Sequence, residues 1–272
     1  MALSKSGKRY VMSVATKDEG YFRFFLESCK RNNIDPVLLG KGAEWKGYGT
    51  KFRLMKEWID NLEDEDCVLI VDCYDLIFVR PVDSLFDKFE QLASCCGDPK
   101  QYIYTASECD DMFGPVIRFF HGTYKDAIIN SGSFIAYAAF LKRLVNDEAV
   151  SLELQNNPRC DDQQLLIKYL NEHKEVICDL DANRRFIVYQ KMGVQIGARL
   201  RIDNGVVTYV GDKTTYRPYL IHRCNNGDMI NILSQLGYDT DGFQVQTGHL
   251  GRVLNIHLPN YIDHVRKWLL QR

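Results

Sequence analysis

Five consecutive apolar residues, Cys67–Val71, are followed at once by the acidic turn Asp72-Cys73-Tyr74-Asp75. An unbroken apolar run of this length is typical of a strand that is covered on both faces. Such a strand needs helices on either side of its sheet, so the run favours an α/β fold. The turn then lies at the carboxyl end of the strand, where open α/β sheets bind their ligands.

The segment before this strand alternates between strand and helix patterns. Strands are predicted at residues 9–15 and 36–39, where apolar and β-branched residues dominate. Apolar side chains at helical spacing fill the two intervals, in the stretches 21–29 and 52–62. The order strand, helix, strand, helix, strand predicts a parallel sheet with crossover helices.

The second half of the chain has a more mixed pattern. Further strands are predicted at 102–105, 133–137, 177–180, 186–188 and 220–222, and further helices at 84–92, 140–145, 163–171 and 229–236. Asn204-Gly205 before the strand pattern at 206–210 predicts a hairpin. No repeat or Pro-, Gly- or Ser-rich linker divides the chain, so one mixed α/β domain is predicted.

The charge of the chain indicates which partners it is expected to bind, and its cysteine content and N-terminus indicate the compartment in which it is expected to work. The 34 basic and 36 acidic residues give a net charge of -2, which offers no reason to expect nucleic acid or a membrane as partner. Nine cysteines without a CxxC pair are expected to be mostly buried, reduced thiols. The N-terminus is polar, and its first apolar run, residues 10–15, is far shorter than a membrane span or the core of a signal peptide. We therefore expect a soluble, cytoplasmic chain, of a host cell or a virus.

The acidic turn is the first candidate for a metal site. Asp72 and Asp75 are three residues apart, so both carboxylates can face one cation. Oxygen ligands of this kind suit Mg²⁺ or Mn²⁺ rather than zinc. Tyr74 offers a ring face or a hydroxyl to a base or ribose. The alternative is that both acids are ordinary turn and capping residues, because such pairs are common.

Three further segments carry candidate residues. Asn130-Ser131-Gly132 precedes a predicted strand, and Gly132 would let the backbone approach a ligand closely. Asp161-Asp162 precedes a helix and is either a functional acidic pair or an N-cap followed by an acid that complements the helix dipole. His222 ends the predicted strand 218–221 and is either structural or a manganese ligand.

Taken in order, these segments resemble the glycosyltransferase domain of the procollagen lysyl hydroxylase/glycosyltransferase family. The residues that carry the resemblance are Val14-Ala15-Thr16, Glu19-Gly20-Tyr21, Arg23-Phe24, Glu44-Trp45-Lys46-Gly47, Gly47-Tyr48-Gly49-Thr50-Lys51, Val71-Asp72-Cys73-Tyr74-Asp75, Asn130-Ser131-Gly132, Phe134-Ile135, Asp161-Asp162-Gln163 and Ile221-His222. The resemblance implies a GT-A-type fold, a Rossmann-like mixed sheet flanked by helices. It also implies one domain over 1–272, with a nucleotide-binding half at about 8–107 and a sugar and acceptor half at about 108–272.

The resemblance also implies a site and a reaction. Asp72, Asp75 and His222 would hold Mn²⁺, with Mg²⁺ as a second possibility, and Asp161 and Asp162 would be catalytic beside the sugar and the acceptor. The residues expected to bind the nucleotide sugar are Thr16, Trp45, Lys51, Tyr74, Asn130, Arg223, Asn225, Asn226 and Gly227. The family reaction moves glucose from UDP-glucose onto galactosyl-hydroxylysine of collagen, with retention of the anomeric configuration.

The chain departs from the family pattern in three places. After the histidine the family has Gly-Asn-Gly and then a lysine near the diphosphate, whereas this chain has Arg223-Cys224-Asn225-Asn226-Gly227-Asp228. Arg223 or the two asparagine amides are the candidates for that contact. The family's tryptophan-bearing acceptor loop is replaced by Cys109-Asp110-Asp111-Met112-Phe113-Gly114. The chain has no His-x-Asp pair of an iron oxygenase, so we expect no lysyl hydroxylation.

Three other functions remain open on the sequence. The donor could be UDP-galactose or UDP-N-acetylglucosamine, transferred by the same fold. The chain could instead bind a nucleotide sugar or collagen without catalysis, although the four acids Asp72, Asp75, Asp161 and Asp162 are all present. Metal-dependent hydrolysis of phosphoesters is disfavoured because no second metal cluster is evident.

Overall fold

The computed structural model of this chain describes residues 7–107, 122–157, 159–181, 185–190, 199–211, 215–224 and 228–244. Its strands are β1 Arg9–Val14, β2 Pro36–Leu39, β3 Cys67–Val71, β4 Leu76–Phe78, β5 Tyr102–Ser107, β6 Ile129–Tyr137, β7 Ile177–Leu180, β8 Phe186–Gln190, β9 Leu200–Asp203, β10 Val206–Val210, β11 Thr215–Tyr216 and β12 Leu220–Cys224. Its helices are α1 Phe22–Arg31, α2 Gly49–Ile59, α3 Asp83–Ser94, α4 Ala138–Asn146, α5 Glu148–Asn156, α6 Asp162–Glu172 and α7 Ile230–Gln235.

Six strands form the main sheet in the order β2-β1-β3-β6-β5-β7. β1 is parallel to both β2 and β3, which confirms the parallel sheet predicted for the first 71 residues. β6 runs antiparallel between β3 and β5, and β7 is parallel to β5. The sheet is therefore mixed, which fits the predicted GT-A-like α/β fold.

β3 is covered on both faces, as its unbroken apolar sequence predicts. Leu69 and Val71 belong to one core cluster, with side chains of α1 and α3 such as Phe25 and Phe89. Val68 and Ile70 belong to a second cluster with side chains of α2, α4 and α6. Because neighbouring residues of a strand point to opposite faces, the five residues of β3 divide between two layers of helices.

Two three-stranded sheets accompany the main sheet. β12 lies between β4, to which it is antiparallel, and β8, to which it is parallel. β9 and β10 form the predicted hairpin through Asn204-Gly205, whose φ angles of 48° and 76° are those of a type I′ turn.

Two boundaries differ from the sequence prediction, and both concern the site. β6 begins at Ile129, so Asn130-Ser131-Gly132 lies inside the strand and not before it. The glycine and polar residues resemble a turn in sequence, but here they lie in β6 where its register with β5 shifts, and the Gly132 carbonyl accepts from Asp72 N of the acidic turn. β12 begins at Leu220, after Pro218, and runs to Cys224, so His222 lies in mid-strand and not at a strand end. The short strands β4 and β11 and the helix α5 were not predicted, and β9 was implied only as the partner of β10 in the predicted hairpin, without bounds of its own.

The described cysteines agree with the expectation of reduced thiols. All eight of them are free, and six are buried, with Cys95 exposed and Cys96 half-buried. In the described ranges, no helix is both long and apolar enough to cross a membrane.

The two-layer core predicts unequal costs for two apolar truncations on neighbouring helices. Phe140 on α4 is fully buried, whereas Leu152 on α5 is 57% exposed. Phe140→Ala is expected to lower the free energy of unfolding by about 3–5 kcal/mol, and Leu152→Ala by no more than about 0.5 kcal/mol. Urea unfolding followed by circular dichroism measures both, and equal costs would contradict the assignment of Phe140 to the core.

Candidate metal centre and its surroundings

Asp72 and Asp75 lie on the turn between β3 and β4, and His222 lies on β12 beside that turn. The pairing of β12 with β4 sets His222 opposite Leu76, the residue after Asp75. His222 Nε2 is 3.1 Å from Asp75 Oδ1 and 3.8 Å from Asp72 Oδ2. One ligand atom from each of the three side chains lies within 4.8 Å of the others. The structure thus brings together the three residues predicted to hold a metal.

The donor set of this cluster fits a hard divalent cation. Two carboxylates with one imidazole nitrogen suit Mn²⁺, and three side-chain donors leave positions in an octahedral shell for other ligands. The Asp72 side chain is 38% exposed, whereas those of Asp75 and His222 are 12% and 2% exposed. The cluster is therefore open on the Asp72 side and closed behind the histidine.

Gly132 on β6 approaches this cluster from the main sheet. Asp72 N donates to the Gly132 carbonyl over 2.9 Å. A Cβ atom at position 132 would lie 2.3 Å from Asp72 Oδ2 and 2.4 Å from His222 Cε1, far inside contact distance. We predicted that Gly132 lets the backbone approach a ligand, and what the backbone approaches here is two of the candidate ligand side chains. The cluster exists in this form because position 132 carries no side chain.

Lys51 on α2 connects the metal cluster to the acidic pair at the start of α6. Its Nζ donates to Asp72 Oδ1 over 2.8 Å, to Asp162 Oδ2 over 3.0 Å and to the Ser131 carbonyl over 3.1 Å. An ammonium group has three hydrogens, so these three acceptors use all of them. The residue is only 5% exposed. Lys51, predicted to bind the nucleotide sugar, is here bonded within the protein, and direct contact with a ligand stays a prediction.

Burial and charge act against each other in this network. Burial lowers the pKa of Lys51, but the two carboxylates outweigh it and raise that pKa. Burial raises the pKa of Asp72, but Lys51 and His222 outweigh it and lower that pKa. For Asp162, burial dominates and the pKa is raised in spite of Lys51. Of Asp72 and Asp162, Asp72 is thus the acid that is kept ionised, as a metal ligand must be.

The two acids of Asp161-Asp162 take different positions. Asp161 Oδ1 accepts from Gln163 N and Gln164 N at 2.9 and 3.0 Å, so Asp161 is the N-cap of α6. Asp162 points instead to Lys51 and is 6% exposed. The capping alternative considered for the pair therefore holds for Asp161, and Asp162 is the acid next to the candidate metal site.

Tyr74 fixes the loop that follows β1. Its hydroxyl accepts from Thr16 N at 2.9 Å and Lys17 N at 3.2 Å, and it donates to the Lys17 carbonyl at 3.0 Å. The hydroxyl considered as a partner for a base or ribose is thus bonded to backbone, and the ring packs against Phe22. Thr16 and Tyr74, which we predicted to contact the nucleotide together, are adjacent in the structure.

The other residues predicted to bind the nucleotide sugar are more dispersed. Trp45 packs edge-on against Tyr48 at 5.9 Å between ring centroids. Asn130 is buried, and its Oδ1 accepts from Gly132 N at 3.0 Å and from Ser133 Oγ at 3.3 Å. These bonds support the part of β6 that approaches the metal cluster. Asn225, Asn226 and Gly227 lie outside the described residues, as does the predicted acceptor segment 109–114.

Arg223 follows His222 on β12, so its side chain leaves the opposite face of the strand. It is 8% exposed, and its Nε and Nη1 atoms have no hydrogen-bond partner in the described part of the chain. Burial raises the pKa of the neighbouring Tyr21 to about 12, and the charge of Arg223 opposes that rise. A buried guanidinium with unpaired nitrogens is costly unless an anion completes it.

Two groups that contribute to the candidate site were not identified from the sequence. The Cys224 thiol lies 3.9 Å from His222 Nδ1 and 3.6 Å from Asn130 Nδ2, so it helps to place the imidazole. The Ser131 carbonyl holds Lys51. Neither had a signal in the sequence, because a backbone carbonyl and a scattered cysteine acquire these roles only when β6 and β12 meet.

Comparison with known proteins gives a consistent family assignment. The model of a family described as the PLOD GT domain matches residues 5–248. The chain is 28% identical over 211 residues to procollagen-lysine,2-oxoglutarate 5-dioxygenase 2 of Homo sapiens, covering 73% of this chain and 27% of that protein. It is 29% identical over 233 residues to procollagen-lysine,2-oxoglutarate 5-dioxygenase of Drosophila melanogaster, covering 78% and 30%.

A third relative carries both activities in its name. The chain is 26% identical over 246 residues to the multifunctional procollagen lysine hydroxylase and glycosyltransferase of Caenorhabditis elegans, covering 84% of this chain and 31% of that protein. The chain thus spans less than a third of the length of each of these relatives.

The close approach of β6 predicts that Gly132→Ala impairs metal binding. The added methyl group must displace Asp72 or His222, so Mn²⁺ affinity is expected to fall by about 10- to 100-fold. Gly97→Ala is the matched control, because a Cβ atom at position 97 meets nothing within 4 Å. Calorimetric titration with Mn²⁺ measures both, and unchanged affinity in Gly132→Ala would rule out the assigned geometry.

The buried network predicts that Lys51→Met destabilises the protein. Removing the ammonium leaves Asp162 buried without a partner, at an expected cost of about 3–5 kcal/mol in the free energy of unfolding. Lys56 lies on the same helix, and its ion pair with Asp60 is exposed on both sides. Lys56→Met is therefore expected to cost no more than about 1 kcal/mol. Equal effects of the two variants in chemical unfolding would contradict the account of Lys51.

Proposed function

This chain belongs to the PLOD GT domain family, and we propose that it is a Mn²⁺-dependent, retaining glycosyltransferase. In this proposal it moves glucose from UDP-glucose onto galactosyl-hydroxylysine of collagen or a collagen-like protein. The observation that carries the proposal is the cluster of Asp72, Asp75 and His222 at the carboxyl end of β3. The glycosyltransferase in the name of the worm relative supports the reaction class, and the procollagen in the relatives' names suggests the acceptor.

In this proposal the side chains of Asp72, Asp75 and His222 form the site that binds the UDP leaving group through a metal ion. Asp72, Asp75 and His222 would hold a divalent cation, which would supply Lewis-acid stabilisation of the charge on the UDP leaving group. The residues of the chain prepare this site before the donor arrives: Lys51 keeps Asp72 ionised and in place, and Gly132 leaves the space that Asp72 and His222 need. Preorganised charge of this kind is usually the largest contribution to catalysis.

Asp162 is the acid that we assign to the sugar and the acceptor. It shares Lys51 with Asp72, so one ammonium group separates it from the metal cluster. An acid in that position can orient the acceptor hydroxyl or stabilise the positive charge that develops on the sugar ring. Asp161 contributes by capping α6 and so fixing the backbone beneath Asp162.

The nucleotide is assigned to the loop after β1, where Thr16 and Tyr74 are adjacent, and Trp45 is proposed as a further contact. The Tyr74 hydroxyl bonds the backbone of the loop after β1 and so fixes the position of that loop, against which a base or ribose can bind. Arg223 is the candidate for the diphosphate contact that a lysine makes in the family, because its buried Nε and Nη1 atoms have no hydrogen-bond partner among the described residues. Asn130, Asn225, Asn226 and Gly227 complete the proposed set.

Two rival functions lead to different measurements. A different donor, UDP-galactose or UDP-N-acetylglucosamine, requires the same metal cluster and would show only in a donor panel. A module that binds a nucleotide sugar through the metal would also need an ionised Asp72, but it has no need of a second, buried acid, Asp162, held beside Asp72 by the same lysine. This arrangement favours an enzyme.

Replacement of a metal ligand tests the reaction class. Asp72→Asn removes one anionic ligand and is expected to lower Mn²⁺-dependent release of UDP from UDP-glucose by at least about 100-fold. Asp60→Asn, an exposed acid on the end of α2, is the control for a change of charge. Turnover in Asp72→Asn equal to that of the unmodified protein, with circular dichroism unchanged, would remove the metal assignment.

Donor and acceptor are tested together by mass detection of the product. Each of the three UDP-sugars is offered with peptides that carry hydroxylysine or galactosyl-hydroxylysine. The proposal predicts a gain of one hexose on the galactosyl peptide with UDP-glucose. Transfer from UDP-galactose to the hydroxylysine peptide would establish the alternative donor. UDP binding without transfer in every combination would indicate a module without catalysis.

A further inference from the structure

A second polar pocket lies apart from the metal cluster. Its volume is about 300 Å³, and the described residues that line it are Arg80, Arg185, Arg217, Thr215 and Tyr216. Three of these five described residues are arginines. The pocket volume is at the lower end for sites that hold small molecules.

The three arginines come together because of the register of the small sheet β4-β12-β8. Arg80 comes two residues after β4, Arg185 directly before β8, and Arg217 three residues before β12. Phe78, Phe186 and Leu220 are paired in register, so the three arginines lie at one end of this sheet. His222 lies in the middle of β12 and pairs with Leu76 at the start of β4. Asp72, Asp75 and His222 are not among the residues that line the pocket.

The guanidinium groups have no acidic partners in the part of the chain that the structure describes. Arg185 Nε is buried and has no hydrogen-bond partner there. The protein contacts of Arg80 are weak bonds to the Arg217 carbonyl at 3.5 Å and to Ser84 Oγ at 3.3 Å. Like charges in one pocket repel each other, so the arrangement is unfavourable until an anion is present.

Arg80 is nevertheless held in place before any ligand binds. Its guanidinium lies over the ring of Tyr219, 4.1 Å from the ring centroid. The Tyr219 hydroxyl is 2.7 Å from Ser84 Oγ, and Tyr219 N donates to the Arg185 carbonyl over 2.8 Å. A stacked, planar guanidinium presents its remaining N–H groups in a fixed direction, which is the arrangement that recognises phosphate.

We propose that this pocket is a binding site for a small molecule bearing phosphate groups, separate from the metal cluster. Three guanidinium groups match the charge of a diphosphate and can donate to its oxygens in pairs. The pocket needs no metal, because the positive charge comes from the chain itself. A single carboxylate would leave most of this charge unpaired, so we expect polyanions to bind best.

Inorganic pyrophosphate is the probe that tests this site. Calorimetric titration in the presence of EDTA keeps the metal cluster out of the measurement, and phosphate, sulfate and acetate are titrated in parallel. The expected order of affinity is pyrophosphate, then phosphate and sulfate, then acetate. Failure of pyrophosphate to bind at millimolar concentration, or binding that requires Mn²⁺, would overturn the proposal.

Substitutions locate the binding. Arg217→Gln and Arg185→Gln are each expected to weaken pyrophosphate binding about tenfold or more. Arg201→Gln on β9 is the matched control, since Arg201 is also exposed but is not part of the pocket. Asp72→Asn should leave pyrophosphate binding unchanged. Arg217 is exposed, so its replacement is expected to leave the fold intact, and thermal unfolding checks this. Affinity in Arg217→Gln equal to that of Arg201→Gln would place the anion elsewhere.

Discussion

The ammonium group of Lys51 is the interaction on which the candidate active site depends. It joins α2, the turn after β3, the backbone of β6 and the start of α6 through Asp72, Ser131 and Asp162. Asp162 is buried and Asp72 is nearby, so without a cation between them their charges would repel and one would be neutralised. One lysine thereby keeps a metal ligand ionised and sets a second acid beside it.

The second constraint is the space beside Asp72 and His222, which is available because Gly132 has no Cβ atom. β6 passes so close to Asp72 and His222 that a methyl group at position 132 has no room. The neighbouring Asn130 and Cys224 then hold the strand and the imidazole in this position. The site is preorganised by the buried charge of Lys51 and by the backbone at Gly132. Lys51 lies on the helix α2 and Gly132 on the strand β6, so both belong to rigid elements and not to loops.

The sequence was sufficient to predict the parts that follow from local pattern. The apolar run of β3, the alternation of strands and helices and the Asn204-Gly205 turn all lie where periodicity and turn chemistry put them. The pair Asp72 and Asp75 was found for the same reason, because it follows a buried strand. Local pattern misled where strands run through polar residues, as β6 does at Gly132 and β12 at His222. The partners of Lys51, which lie up to 111 residues away, follow only from the tertiary fold.

The central claim is that Asp72, Asp75 and His222 together hold one divalent cation. Crystals grown with Mn²⁺ and UDP and measured near the manganese absorption edge test it most directly, since the anomalous signal comes from the metal. The account predicts one strong anomalous peak at bonding distance from both carboxylates and from the imidazole, next to the diphosphate. A peak at another position, or UDP bound with Mn²⁺ but with His222 still bonded to Asp75 and away from the metal, would contradict it.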